Sequence, residues 1–187
     1  MRRYVLAAAV AALLAAVPAG AAPAHNGITD KAGDWAVAGE DVLGARVSTV
    51  RVDGKPAVRM VLTLAAAPDP VAEYGVSVGG GCEWWAITAR NVGGALQDVS
   101  LEYGKCEPGM TVPQVPVKAP ATARVVGKSV ELTAPYALGL KKGLKVTNLT
   151  AGAGPVRAGV AAGVGTDPAG FLVAGDLALG TVDYTLG

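Results

Sequence analysis

Few residues in this chain have the chemistry that catalysis needs. Among 187 residues there is one histidine, His25. A serine or cysteine nucleophile is usually activated by a neighbouring histidine, whereas cleavage of a signal peptide after Ala24 would leave His25 as a frayed first residue. A pair of carboxylates could hydrolyse a glycosidic bond, but no local motif proposes such a pair. The sequence therefore predicts a protein that is not an enzyme.

A short acidic stretch offers the best candidates for binding a metal ion. Four acids surround Gly33 and Gly39: Asp30, Asp34, Glu40 and Asp41. Carboxylate oxygens on a loop bent by glycine suit calcium, although the spacing is not that of an EF-hand. The alternative is a solvated acidic loop without a metal. Calcium is the one cofactor that the sequence suggests.

The stretch GGGCEWWAI, residues 79–87, holds two adjacent tryptophans. Successive side chains of a strand point to opposite faces, so Trp84 and Trp85 cannot both enter one core. Cys82 lies just before them, and Cys106 is the second of the two cysteines in the chain. In an exported protein, two cysteines at this distance usually form one structural disulfide.

The segment from Cys82 to Cys106 has the pattern of a β-hairpin with its turn at 91–95. A turn centred on Gly94 places the two cysteines opposite each other. It also gathers an apolar face, whose paired residues are Trp85 with Tyr103, Ile87 with Leu101 and Ala89 with Val99. Trp85 is thus predicted to lie in the core, because a slip of one residue would exchange the faces and separate the cysteines.

The other face of this hairpin carries Trp84 together with polar residues. They are Thr88, Ser100 and Glu102, while Gly104 lies opposite Trp84 and leaves space for the indole to lie flat. A tryptophan on a polar strand is a common platform for sugar binding, and these side chains would add hydrogen bonds. The alternative is that the loop 108–120 or the disulfide covers Trp84. Trp35, in the acidic stretch, is a second candidate for ligand binding.

The elements that must position these residues are strands. RVSTVRV (46–52) and AVRMVLTL (57–64) alternate around Asp53-Gly54, a turn pair typical of tight hairpins. The same alternation recurs with turn signals about every ten residues, at 74–78, 84–90, 99–105, 111–117, 122–126, 129–133, 144–149 and 181–186. This spacing predicts an all-β protein, an antiparallel β-sandwich of immunoglobulin-like or jelly-roll-like type.

The region from 155 to 180 has no clear periodicity, but part of it resembles an earlier stretch. TDPAGFLVAGDLALG (166–180) matches TDKAGDWAVAGEDVLG (29–44) with one gap at Asp34. Either the two stretches are an internal duplication, or two Ala- and Gly-rich stretches agree by chance.

The first residues predict export. Arg2 and Arg3 precede an apolar stretch of signal-peptide length, and small residues supply a cleavage site near Ala24. We therefore predict a signal peptide at 1–24 and one secreted domain at 25–187, with no membrane anchor in the mature chain. The formal net charge of the whole chain is +1. Without a basic excess, nucleic acid is not an expected partner.

Several segments resemble exported bacterial β-sandwiches of the DOMON type and the family-nine-like carbohydrate-binding modules. The segments are TDKAGD (29–34), VLTLA (61–65), VELTAPYALGL (130–140), GLKVTNLTA (143–151) and TVDYTLG (181–187). The resemblance implies a sandwich that binds a sugar or a haem, and the haem ligands are not evident here. The expected function is a secreted, non-catalytic module that binds a carbohydrate or cell-wall glycan. The alternative is an envelope or secreted protein that binds another protein.

Overall fold

The computed structural model describes residues 26–80, 83–105, 117–155 and 175–187. In these residues the secondary structure is entirely β. The strands are β1 (Gly27–Thr29), β2 (Val42–Val52), β3 (Lys55–Leu64), β4 (Ala72–Gly80), β5 (Glu83–Val92), β6 (Ala95–Lys105), β7 (Val117–Pro120), β8 (Thr122–Val126), β9 (Ser129–Pro135), β10 (Lys145–Pro155) and β11 (Asp176–Thr185).

The strands form two antiparallel sheets that pack as a sandwich, which confirms the predicted fold class. The five-stranded sheet has the order β1-β2-β3-β9-β8, and the six-stranded sheet has the order β11-β10-β4-β5-β6-β7. In the part of the chain that is described, there is no helix long and apolar enough to cross a membrane. The predicted signal peptide, His25, both cysteines and residues 111–116 of the predicted strand 111–117 lie outside the described residues.

The hairpin of β2 and β3 shows how the sequence pattern produces the core. Asp53 and Gly54 both have positive φ, 50° and 75°, as a two-residue type I′ turn requires. Alternate residues of β3 then point inward, and four of them are fully buried: Val58, Met60, Leu62 and Leu64. These four are the apolar residues that the alternation in 57–64 places together on one face of the strand. Their burial supplies the hydrophobic stabilisation that holds the two sheets together.

The core also contains two aromatic side chains whose polar atoms are satisfied. Tyr74 of β4 is fully buried, and its hydroxyl donates to the backbone oxygens of Gly39 and Asp69 at 3.0 and 3.2 Å. Trp85 of β5 is 3% exposed, and its indole N–H donates to the Leu138 oxygen at 2.7 Å. Trp85 is therefore the core tryptophan, as predicted.

At one corner of the sandwich the edge strands β1 and β11 meet. Among the described strands, β1 pairs only with β2 and β11 only with β10, so each lies at an edge of its sheet. They approach closely at Gly180, where a Cβ atom would lie 2.5 Å from Cγ2 of Ile28. β11 begins at Asp176, five residues before the predicted start at Thr181. At this corner the acidic stretch that follows β1 lies close to β11.

Candidate functional site

The register of the β5–β6 hairpin agrees with the prediction over most of its length. Trp84 lies opposite Gly104, Trp85 opposite Tyr103, and Thr88 opposite Ser100. The rings of Trp85 and Tyr103 are 5.4 Å apart on the inner face. Cys82 and Cys106 lie outside the described residues, so the disulfide stays a prediction.

Near its turn the hairpin differs from the predicted register. A bulge lies between Thr88 and Arg90, so that Arg90 pairs with Gln97 instead of Asp98. Asp98 has a positive φ of 50°, and the turn itself is the pair Gly93 and Gly94. The predicted one-to-one register therefore fails from here to the turn: Ala89 lies opposite the two bulged residues Asp98 and Val99, and Val99 still packs against the core beside it. A bulge adds one residue to one strand, which simple counting from the turn cannot foresee.

Trp84 lies on the outer face of the six-stranded sheet, between two glycines of the adjacent strands. Its row in the sheet is Asn148 of β10, Gly79 of β4, Trp84, and Gly104 of β6. A Cβ atom on Gly104 would lie 2.2 Å from Cζ2 of the indole, so the ring lies across the bare backbone of β6. Trp84 is half-buried and Asn148 is exposed.

The polar residues predicted to accompany Trp84 are on the same face. Glu102 is only 5% exposed, and its Oε1 is 2.6 Å from Nζ of Lys118. Ser100 donates a long hydrogen bond, 3.4 Å, to the same oxygen of Glu102. Thr88 is half-buried beside Ser100. Glu102 is thus held by an ion pair within the protein, and the exposed amide of Asn148, which was not among the predicted ligand-binding residues, is the more accessible hydrogen-bonding group.

A second carboxyl group is buried on this outer face. Glu73 of β4 is 8% exposed and pairs in register with Arg90. Burial raises the pKa of Glu73, and the charge of Glu102 raises it further, whereas the guanidinium of Arg90 opposes the shift. The guanidinium of Arg90 also pairs with Asp98 at 3.1 Å. An ionised Glu73 therefore costs free energy in the folded state.

The acidic stretch contributes two of its four predicted ligands to a cluster. Carboxylate oxygens of Asp30, Asp34 and Asp176 all lie within 4.8 Å of one another. Asp30 follows β1, Asp34 is in the following loop, and Asp176 is the first residue of β11. The amide of Val42 donates to Oδ2 of Asp176 and fixes that carboxylate at the corner.

The other two predicted ligands, Glu40 and Asp41, lie outside this cluster, which corrects the predicted set. Both are buried, at 4% and 2% exposure. Oε2 of Glu40 accepts the indole N–H of Trp35 at 2.8 Å, and Oδ2 of Asp41 accepts the amide of Gly33 at 2.8 Å. These two carboxylates accept hydrogen bonds from residues of their own loop and so stabilise its conformation. The hydrogen bond from Trp35 to Glu40 holds the half-buried indole against its own loop, so Trp35 is less suited than an exposed tryptophan to stack on a sugar.

The surroundings of Asp176 also change the pKa of its carboxyl group. Burial raises the pKa of its carboxyl, and the nearby Asp34 and Asp30 raise it further, while the Val42 amide opposes them. Sequence reasoning missed Asp176. The one signal for it was the similarity between 29–44 and 166–180, which aligns Asp176 with Glu40 of the acidic stretch.

Comparison with known proteins identifies no relative: no family model matches the chain, and no curated protein or solved structure is significantly similar to it. The resemblance to DOMON-type sandwiches accordingly stays a prediction.

Proposed function

We propose that this protein is an exported, non-catalytic binding module, and that its ligand is a carbohydrate or cell-wall glycan. The observation that carries the proposal is the placement of Trp84 between Gly79 and Gly104 on the outer face of the six-stranded sheet. An indole face packs well against the C–H face of a pyranose ring.

Both residues paired with Trp84 in the sheet are glycines, so no side chain stands beside the indole on either neighbouring strand. On the β6 side, the backbone at Gly104 supports one part of the indole. On the β4 side, Gly79 presents no side chain, and the next residue in the row is the exposed Asn148. Two strand spacings separate Asn148 from Trp84, or about 10 Å between Cα atoms, which is enough for one sugar ring. The Asn148 amide can donate to and accept from sugar hydroxyls.

The remaining groups of this face suit recognition better than reaction. Glu102 is neutralised by Lys118 at 2.6 Å. A general acid or nucleophile for glycoside cleavage would instead have to be free to act on the substrate. The ion pair gives this part of the face no net charge, which fits a neutral polysaccharide.

Retention on insoluble polysaccharides tests the proposal. The purified protein is incubated with chitin, cellulose, xylan and peptidoglycan, and the bound fraction is measured. We expect retention on one polymer, and a loss of about tenfold or more in affinity in Trp84→Ala, because stacking of a ligand ring on one aromatic side chain is expected to contribute roughly 1–3 kcal/mol, as it does for nucleic-acid bases. Asn148→Ala should give a smaller loss.

Leu179→Ala is the matched control, because Leu179 is an exposed apolar residue of β11 in the same sheet. Its retention should equal that of the wild type. Absence of retention on all four polymers would refute the carbohydrate proposal and favour a protein ligand for this face.

A further inference from the structure

Negative charge is concentrated at the corner where β1 meets β11. Asp30, Asp34 and Asp176 bring three carboxylates within 4.8 Å. In the described residues none of the three takes part in an ion pair of 4.0 Å or less. Carboxylates at this distance repel one another unless a cation or protons lie between them.

A fourth carboxylate provides an independent sign that a ligand belongs here. Asp41 is 98% buried, and its Oδ1 has no hydrogen-bond partner. Its Oδ2 accepts the amide of Gly33, the neighbour of Asp34, and the amide of the next residue, Val42, donates to Asp176. Asp41 is thus tied to the cluster on both sides, through the residue before Asp34 and through the residue whose amide binds Asp176. A buried carboxylate oxygen without a donor is unfavourable unless a ligand or a water supplies one.

We propose that this corner is a calcium site. Asp30, Asp34 and Asp176 supply the carboxylate ligands, and Oδ1 of Asp41 accepts a hydrogen bond from a water bound to the ion. Calcium takes six to eight oxygen ligands in flexible geometry, which suits carboxylates that come from two separate parts of the chain. Magnesium requires a stricter octahedron and gives up its water reluctantly.

The site joins the two sheets of the sandwich. Asp30 follows β1 of the five-stranded sheet, and Asp176 opens β11 of the six-stranded sheet. Val42 of β2 already makes one hydrogen bond to Asp176 across this corner. A bound calcium ion therefore links the edge strands, and it stabilises the folded state by mass action.

Thermal unfolding of the full protein tests this site. Melting temperatures are compared in EDTA, in about 10 mM CaCl2 and in about 10 mM MgCl2. Sites of this kind in extracellular modules bind with dissociation constants of about 0.1–1 mM, so we expect calcium to raise Tm by about 5 °C and magnesium to raise it by less than half as much. Terbium luminescence sensitised by Trp35, in the same loop, gives the affinity directly.

Three variants separate ligation from general effects. Asp34→Asn and Asp176→Asn should abolish the calcium shift, and Asp34 is exposed, so its variant leaves the Val42 bond intact. Asp183→Asn is the matched control, because Asp183 is an exposed acid of β11 that pairs only with Lys145 at 3.6 Å among the described residues. In EDTA, Asp34→Asn should unfold at no lower temperature than the wild type, because it removes one of three repelling charges.

Several results would overturn the proposal. They are the absence of a calcium shift in the wild type, an equal shift with magnesium, and a calcium shift that persists in Asp34→Asn. The proposal is independent of carbohydrate binding, because Trp84→Ala should keep the full calcium shift. Failure of one proposal therefore leaves the other in place.

Discussion

Residue type singled out both the acidic corner and the tryptophan hairpin, but the predicted contacts agree with the structure much better in the hairpin than at the corner. In the hairpin, the residues predicted to be opposite each other are opposite, from Glu83 to Thr88. In the acidic corner, two of four predicted residues enter the cluster, and the third member of the cluster is Asp176, from the far end of the chain. One region is local, and the other is assembled from distant segments.

The difference follows from how each region is connected. A hairpin has one turn, and the period of two along each strand then decides which side chains share a face. The corner depends on which strands become the edges of the two sheets, and β11 reaches β1 only because of the order of strands in the sandwich. Spacing along a loop does not contain that information.

The largest effect on the hairpin should come from Gly104→Ala. The new Cβ would lie 2.2 Å from the indole of Trp84, so the ring must leave the strand. We expect a loss of about 1–3 kcal/mol in the free energy of unfolding, measured by chemical denaturation. In the Trp84→Ala background the same substitution should be nearly neutral. Equal losses in both backgrounds would mean that the indole does not lie on Gly104.

A smaller loss is expected at the acidic corner from Trp35→Phe. The substitution keeps an aromatic ring but removes the N–H that Glu40 accepts, and Glu40 is 4% exposed. Leaving this carboxylate without its donor should cost about 1–2 kcal/mol, or a fall of roughly 3–6 °C in Tm by calorimetry. Retention on polysaccharide should not change. Loss of retention with unchanged stability would instead make Trp35 a ligand-binding residue.

The smallest effect should be a pH dependence from Glu73. Its folded-state pKa is raised, mainly by burial, so the folded protein binds this proton more tightly than the unfolded chain does. The cost of ionised Glu73 is present above the folded pKa and is relieved as pH falls through it. Glu73→Gln should therefore raise Tm at pH 7, on the order of 2 °C, and lose the advantage near pH 4. A lower Tm at pH 7 would show that the carboxylate is stabilising.

The sequence by itself determined most of the strands, though not β1, most of the register of the β5–β6 hairpin and the inward face of β3, because these depend on alternation and on turn residues with positive φ. The buried row from Val58 to Leu64 and the core position of Trp85 follow from that periodicity. It could not supply the bulge at Asp98, since an inserted residue leaves the pattern on either side unchanged.

Only the tertiary structure decided what the acids do. Residue type alone did not distinguish Asp30, Asp34, Glu40 and Asp41. In the folded protein Glu40 and Asp41 are buried and accept hydrogen bonds from their own loop. Asp30 and Asp34 instead lie close to Asp176. That meeting requires the edges of two sheets to lie at one corner. The physical reason is that side-chain alternation is a local property of the backbone, whereas the juxtaposition of edge strands is set by the packing of the whole sandwich.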